Sequence, residues 1–169
     1  MTANLYGIRL IPPVSGPAER IRTLTRAYAL AAAADPHLTP GEWTAFVRRC
    51  RRQAQHRGGL GVLEDRRGYV HAVFRYAVGA GPLAGAGTSG RGRTMWLQDI
   101  VLGRLPGSAA ARAIAAGGEM MARAFGCGAV AVELPARVCA PPSGTPFAPL
   151  VQRGYGVALG TILVRALNA

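Results

Sequence analysis

The residues best suited to chemistry lie in one stretch, 103–112 (GRLPGSAAAR). It follows an apolar run, Met95–Leu102, that reads as a strand, and it opens a helical pattern starting near Gly107. Small residues at such a turn leave backbone N–H groups open to close approach, and a helix N-terminus adds partial positive charge. Arg104 and Arg112 carry forked guanidiniums that pair with oxyanions. These features suit binding of a pyrophosphate at Gly107 to Ala111, and by themselves they equally describe an ordinary Gly/Ser/Ala helix start. A second stretch, 85–90 (GAGTSG), matches the dinucleotide pattern GxGxxG. A strand pattern follows it where that fingerprint needs a helix, so it reads as a hairpin loop.

The other reactive side chains are scattered. Asp99 is the only acidic residue of the Met95–Leu102 run. Cys50, Cys127 and Cys139 have no CxxC spacing, and an odd count argues against a disulfide framework. Cys139 has no His placed to activate it. His37 and His56 fall near helix ends and His71 in a strand, so no metal site is expected.

The elements that must position these groups follow from periodicity. Leu5–Ile11 reads as a strand closed by two prolines. A helix begins near Pro17 and ends at Asp35-Pro36, with Ile21, Leu24 and Tyr28 at helical spacing. Thr39 and Glu42 make a capping box, with Pro40 at the first helical position. Trp43, Phe46, Val47 and Cys50 line one face of this second helix, and Arg48, Arg49, Arg51 and Arg52 fill much of the rest. Gly61–Leu63 and Tyr69–Val78 read as a hairpin around a polar turn, 64–68. Tyr69, Arg75 and Trp96 fall on strands that could face a second substrate. The helix from Gly107 to about Phe125 carries Gly117 and Gly118 inside it, which signals close packing or a local irregularity; Gly126 or Gly128 stops it. Ala129–Leu134 reads as a central strand. A Pro-rich loop, a short helix ending at Gly154 and a last strand, Thr161–Leu167, complete the chain.

The chain has 169 residues, half of them apolar, which fits one domain with a normal core. All twenty basic residues are Arg against eight acidic ones, a net charge of +12, so anionic partners are attracted. No signal peptide is visible, and the Ala-rich run 27–34 is shorter than the roughly 20 residues a membrane helix needs. A cytoplasmic protein without a membrane partner is expected.

The element order resembles the GNAT N-acetyltransferase superfamily over nearly the whole chain. Tyr6 to Ala27 is similar to that family's opening strand and helix, and Leu97–Leu102 (LQDIVL) to its central strand. Arg104, Gly107 and Ala109 fit its acyl-CoA signature, Arg/Gln-x-x-Gly-x-Gly/Ala; a second register uses Ala109 and Ala111. Phe125–Val130 resembles its helix-to-strand exit, and Gly154-Tyr155 its Gly-aromatic pair. Leu150 stands where many members carry a proton-donating Tyr, and the stretch from Asp99 to Arg104 is about three residues shorter than usual.

The resemblance implies an α/β fold with a mixed, mostly antiparallel central sheet and flanking helices, one domain over residues 1–169. It implies acetyl-CoA as co-substrate and transfer of its acetyl group to an amine on a small molecule, a protein or an aminoacyl-tRNA. Asp99 would take the amine's proton, and Gln98 would position substrate. Backbone groups of Ile100, Val101 and Leu102 would bond the pantetheine arm. Arg104, Gly107, Ser108, Ala109, Ala110, Ala111 and Arg112 would hold the phosphates. Two alternatives stand beside it: a module that keeps the fold without the chemistry, and a nucleic-acid binder using Arg48 to Arg57. A homodimer is compatible with either.

Overall fold

The computed structural model describes residues 6–11, 17–53, 58–81, 92–103, 107–134, 147–159 and 161–167. The elements run β1 (Tyr6–Ile11), α1 (Pro17–Ala34), α2 (Pro40–Gln53), β2 (Gly58–Asp65), β3 (Val70–Ala80), β4 (Arg93–Leu102), α3 (Gly107–Ala124), β5 (Ala129–Glu133), α4 (Ala148–Gln152), β6 (Gly156–Leu159) and β7 (Ile162–Ala166). All seven strands join one sheet in the order β1-β2-β3-β4-β5-β7-β6. β4 and β5 pair in parallel, and every other neighbouring pair is antiparallel. This is the mixed, mostly antiparallel sheet with flanking helices that the resemblance implies.

Strand alternation splits the core in two. Val62 and Val73 point toward α1 and α2, packing with Ala27, Ala31, Trp43, Val47 and Cys50. Their chain neighbours Leu63 and Phe74 point the other way, with Met95, Leu97, Val130 and Val132, against Ile114 and Met121 of α3. Side chains of period two on the strands and about 3.6 on the helices make this sandwich the one way to bury both sets. Gly118 serves that packing. A Cβ there would lie 2.7 Å from Cδ1 of Leu97, so the helix runs closer to β4 than any other residue would allow.

The helix ends match the sequence signals. Thr39 Oγ1 accepts from the Glu42 N–H at 3.2 Å, and Glu42 Oε2 accepts from the Thr39 N–H at 2.9 Å, a reciprocal capping box. Gly126 (φ 66°), rather than Gly128, closes α3, with the Cys127 N–H donating back to Ala122 O at 2.8 Å.

Two expectations are corrected. The buried face of α1 is Thr23, Ala27 and Ala31, while Ile21 is 62% exposed and Leu24 and Tyr28 are half-buried. Small residues let α1 approach the sheet, so its bulky stripe turns toward α2 instead. The strand β6 is also additional to the predicted order. It is a four-residue edge strand with exposed Gly156, Val157 and Ala158, too short and without the polar residues that would give an alternating signal. The predicted GxGxxG loop and Cys139 lie outside the described residues. No helix among the described residues is long and apolar enough to cross a membrane.

Candidate functional site

The site begins where β4 and β5 part. Their ladder runs Thr94↔Ala129, Met95↔Val130, Trp96↔Ala131 and Leu97↔Val132, and stops there. β4 continues to Leu102 and remains paired to β3 on its other side, through Val73↔Val101 and Ala72↔Leu102. After Glu133, β5 leads to Leu134, whose N–H donates to Thr161 O at 2.9 Å, away from β4. Ile100, Val101 and Leu102 therefore present a backbone edge to which no described strand pairs. An extended ligand carrying amides can add to such an edge as a strand does.

A bulge sits at the fork. Gln98 pairs with Arg75 and Val101 with Val73, so Asp99 and Ile100 together face the single residue Phe74. Asp99 has φ 51°, the left-handed region that Asp tolerates better than most residues. Bulges re-aim side chains and bend strands. Here the bulge turns the Asp99 side chain outward, 53% exposed, where its Oδ2 accepts from Arg75 Nε at 2.7 Å. Beside it Gln98 Nε2 donates to Glu133 Oε2 at 2.7 Å, joining the two strands one residue past their last paired position. The Cys50 thiol is buried, and burial pushes its pKa up, which favours the neutral thiol. Trp96 is held by a bond from Nε1 to Ala80 O, and Tyr69 is 62% exposed at the end of the β2–β3 turn.

From the same strand the chain leads to α3, which starts at Gly107 as the sequence predicts. The first-turn N–H groups of a helix have no intrahelical partners, which applies here to those of Gly107, Ser108, Ala109 and Ala110. The side chains of Ala110 and Ala111 are buried among the α3 core residues, so these two positions can offer backbone only. Arg112 is exposed. Arg104 lies outside the described residues.

A cleft of about 890 Å³ opens between the end of β4 and the turn joining α1 to α2. Asp99, Ile100, Val101 and Leu102 form its floor with Val73, while Asp35, His37, Leu38, Glu42, Trp43, Phe46 and Arg49 form its wall. The same β4 residues thus serve both the fork and the cleft. Sequence reasoning missed the wall residues, which gather only when α1 and α2 fold back against the sheet. The capping box was the one local sign that a tight turn lay there. Glu42 accepts from the Thr39 backbone and hydroxyl, which holds its carboxyl below the usual range and keeps it anionic.

No family profile and no curated protein matches the chain by sequence. Solved structures do match. An aminoglycoside antibiotic 6'-N-acetyltransferase of Acinetobacter baumannii aligns over 97% of this chain and 96% of its own, with a TM-score of 0.59 at 16% identity. An acetyltransferase of Streptococcus agalactiae aligns over 96% and 99%, with a TM-score of 0.56 at 11% identity. A Clostridium acetobutylicum protein, described as a predicted acetyltransferase and solved with acetyl-CoA, aligns over 90% of both chains, with a TM-score of 0.54 at 12% identity. The chain has the GNAT acyltransferase fold. At these identities the likeness is one of architecture, and the fork, the bulge and the helix start are this chain's own evidence within it.

Within that GNAT fold the position of Leu150 is informative. Leu150 is 1% exposed and packs in the α3 core. Tyr155, five residues on, is also buried, with its hydroxyl 3.4 Å from Glu119 Oε1. Burial pushes its phenol well above the usual range, with the Glu119 charge adding to the shift. Glu119 in turn accepts from Arg153 Nη2 at 2.9 Å and Arg165 Nη1 at 2.8 Å. This cluster ties α3 to the turn after α4 and to β7, and Tyr155 serves it as a structural donor. His71 is likewise structural, with Nε2 3.0 Å from Asp65 Oδ2.

Proposed function

We propose that this chain, acting as one domain over residues 1–169, is an acyl-CoA-dependent N-acyltransferase that moves an acetyl group from acetyl-CoA to an amine. The observation that carries the reading is the continuity of β4. One strand supplies the open backbone edge at Ile100 to Leu102 and the outward carboxylate at Asp99, and the next described element is the helix that starts at Gly107.

Bound acetyl-CoA supplies the acyl group as an activated thioester. In the proposal, the first-turn N–H groups from Gly107 to Ala110 hold its phosphates, with Ser108 and Ala111 lining the turn and Arg104 and Arg112 as charge partners. Backbone groups of Ile100, Val101 and Leu102 bond the pantetheine arm, and an N–H there polarises the thioester carbonyl. The acceptor nitrogen enters from the cleft. Asp99 takes the proton of the ammonium, directly or through water, so that the free amine can attack. The C–N bond forms, the C–S bond breaks, and the second proton of the attacking nitrogen passes through water to the departing thiolate. Arg75 holds the Asp99 carboxylate in place, and Gln98 with Glu133 fixes the opening of the fork.

Leu150 favours a second reading, a module that binds acyl-CoA without transferring it, since it is an apolar core residue where a proton donor to the thiolate could stand.

Calorimetric titration with acetyl-CoA tests the binding step on the wild-type chain and on Gly107→Glu. An acidic residue in the first turn suits the helix itself, so the variant should fold, while its charge repels phosphate. Saturable binding to the wild type, weakened at least tenfold in the variant, is the expected result. No wild-type binding at about 1 mM, where only some 4 kcal/mol is needed, would overturn the proposal. Binding without acetyl transfer to any of a broad amine panel would select the second reading.

A further inference from the structure

The cleft's lining is opposite in character to the chain as a whole. Twenty arginines and eight acidic residues give the chain its net charge of +12. That bulk charge points to an anionic acceptor. Yet among the described residues three of the eight acidic ones, Asp35, Glu42 and Asp99, line this one cleft, against one arginine, Arg49, and His37. Arg75 also approaches and pairs with Asp99, so Asp35 and Glu42 against Arg49 leave the described lining with one negative charge in excess. Arg48 and Arg52 of the same helix are exposed outside the lining.

The remaining surface is apolar. The Trp43 and Phe46 rings lie 5.7 Å apart, tilted by 31°, and Tyr28 backs Trp43 at 6.3 Å. Leu38, Ala31, Ala34, Ala45, Val73 and Ile100 continue the wall and floor. Carboxylates have room for further donors beyond those they already hold: Asp35 Oδ1 accepts the His37 N–H at 3.1 Å, and Asp99 Oδ2 accepts Arg75. Aromatic faces also attract an ammonium group. A phosphate- or carboxylate-bearing acceptor would meet Asp35 and Glu42 with Arg49 to offset them. A highly hydroxylated acceptor would desolvate its polar groups against the rings without recovering them.

We propose that the acceptor cleft selects an amine with one positive charge on an apolar, ring-sized body, and rejects acceptors that carry phosphate or carboxylate. That the bound amine is then acylated rests on the acyltransferase reading; the selectivity itself is a property of the cleft.

The full-length chain is titrated with four probes, by calorimetry and by tryptophan fluorescence, with and without CoA. These are 2-phenylethylamine, 3-phenylpropionate, spermidine and glucosamine 6-phosphate. Expected is saturable binding of 2-phenylethylamine, with each of the other three at least tenfold weaker. Ala34, the exposed last residue of α1, lines the cleft and tolerates substitution. Ala34→Arg should weaken 2-phenylethylamine roughly three- to tenfold and Ala34→Glu should tighten it, as one charge some 6 Å away implies. Equal or tighter binding of 3-phenylpropionate or the sugar phosphate overturns the proposal. So does an amine affinity indifferent to both Ala34 variants, or no saturation by 2-phenylethylamine while acetyl-CoA still binds. Acetyl-CoA is titrated in parallel. Its failure to bind would remove the acyltransferase reading and leave the cleft's selectivity to be judged on the panel alone.

Discussion

Replacing Glu119 by Gln separates the charge of the buried cluster from its shape. Gln has nearly the same volume, and its carbonyl can still accept one hydrogen bond. What disappears is the negative charge between Arg153 and Arg165. Removing one partner of a fully buried ion pair costs roughly 3–5 kcal/mol. Here the carboxylate is 5% exposed, but the two guanidiniums are 34% and 32% exposed and can recover water. The expected loss is therefore smaller, about 2–3 kcal/mol, which lowers the melting temperature of a domain this size by about 5–10 °C. The pH dependence gives a second handle. Burial alone would raise the Glu119 carboxyl, but the hydrogen bonds and charges of Arg153 and Arg165 outweigh it and hold the group below its ordinary value. The folded chain thus keeps Glu119 ionised at a pH where the unfolded chain has begun to protonate it. The stabilisation is complete above the unfolded carboxylate range, near pH ~4.3, and is lost as pH falls through the lowered folded value. Urea unfolding of both proteins at pH 7, 5 and 3 measures this. The gap between them should be full at pH 7 and 5 and should narrow at pH 3, where protonated Glu119 resembles Gln. Equal midpoints at pH 7, or a gap that stays undiminished at pH 3, would refute the argument that the charge ties α3 to β7.

The bulge gives a paired test. Asp99→Ala should lose about 1–2 kcal/mol, since Ala pays the left-handed cost without an Arg75 contact, whereas Asp99→Gly should stay within about 0.5 kcal/mol of wild type. Both should lose acyl transfer. A Gly variant no more stable than the Ala variant in urea would show that the bulge stores no strain. Across β3 from the bulge, Gly61 lies opposite the fully buried Phe74, whose ring covers the space a Cβ would need. Gly61→Ala should cost about 1–3 kcal/mol by overpacking, with part regained on adding Phe74→Leu; a rise in melting temperature would contradict this packing.

Much of the architecture was legible in the sequence because its signals are local. The Thr39–Glu42 box, the helix start at Gly107, the paired glycines at 117 and 118 and the charge-free run at 129–132 each depend on neighbours a few residues away. β6 was not legible, because an exposed four-residue edge strand has no alternation to read. The buried face of α1 was misread for a related reason. Periodicity marks which residues can pack, but Thr23, Ala27 and Ala31 were chosen by how near the helix comes to β3.

The site divides along the same line. Sequence alone determined that the strand through Asp99 runs into a small-residue helix start, and that the chain is strongly basic. Only the tertiary structure decided that β4 parts from β5 after Leu97, because a fork is a relation between strands 35 residues apart. It also decided that Asp99 bulges outward, and that Asp35 and Glu42 come from another helix pair to meet it. A chain's net charge is a sum over residues, whereas a ligand meets the charges the fold brings to one wall. That is why an arginine-rich sequence can hold a carboxylate-lined cleft.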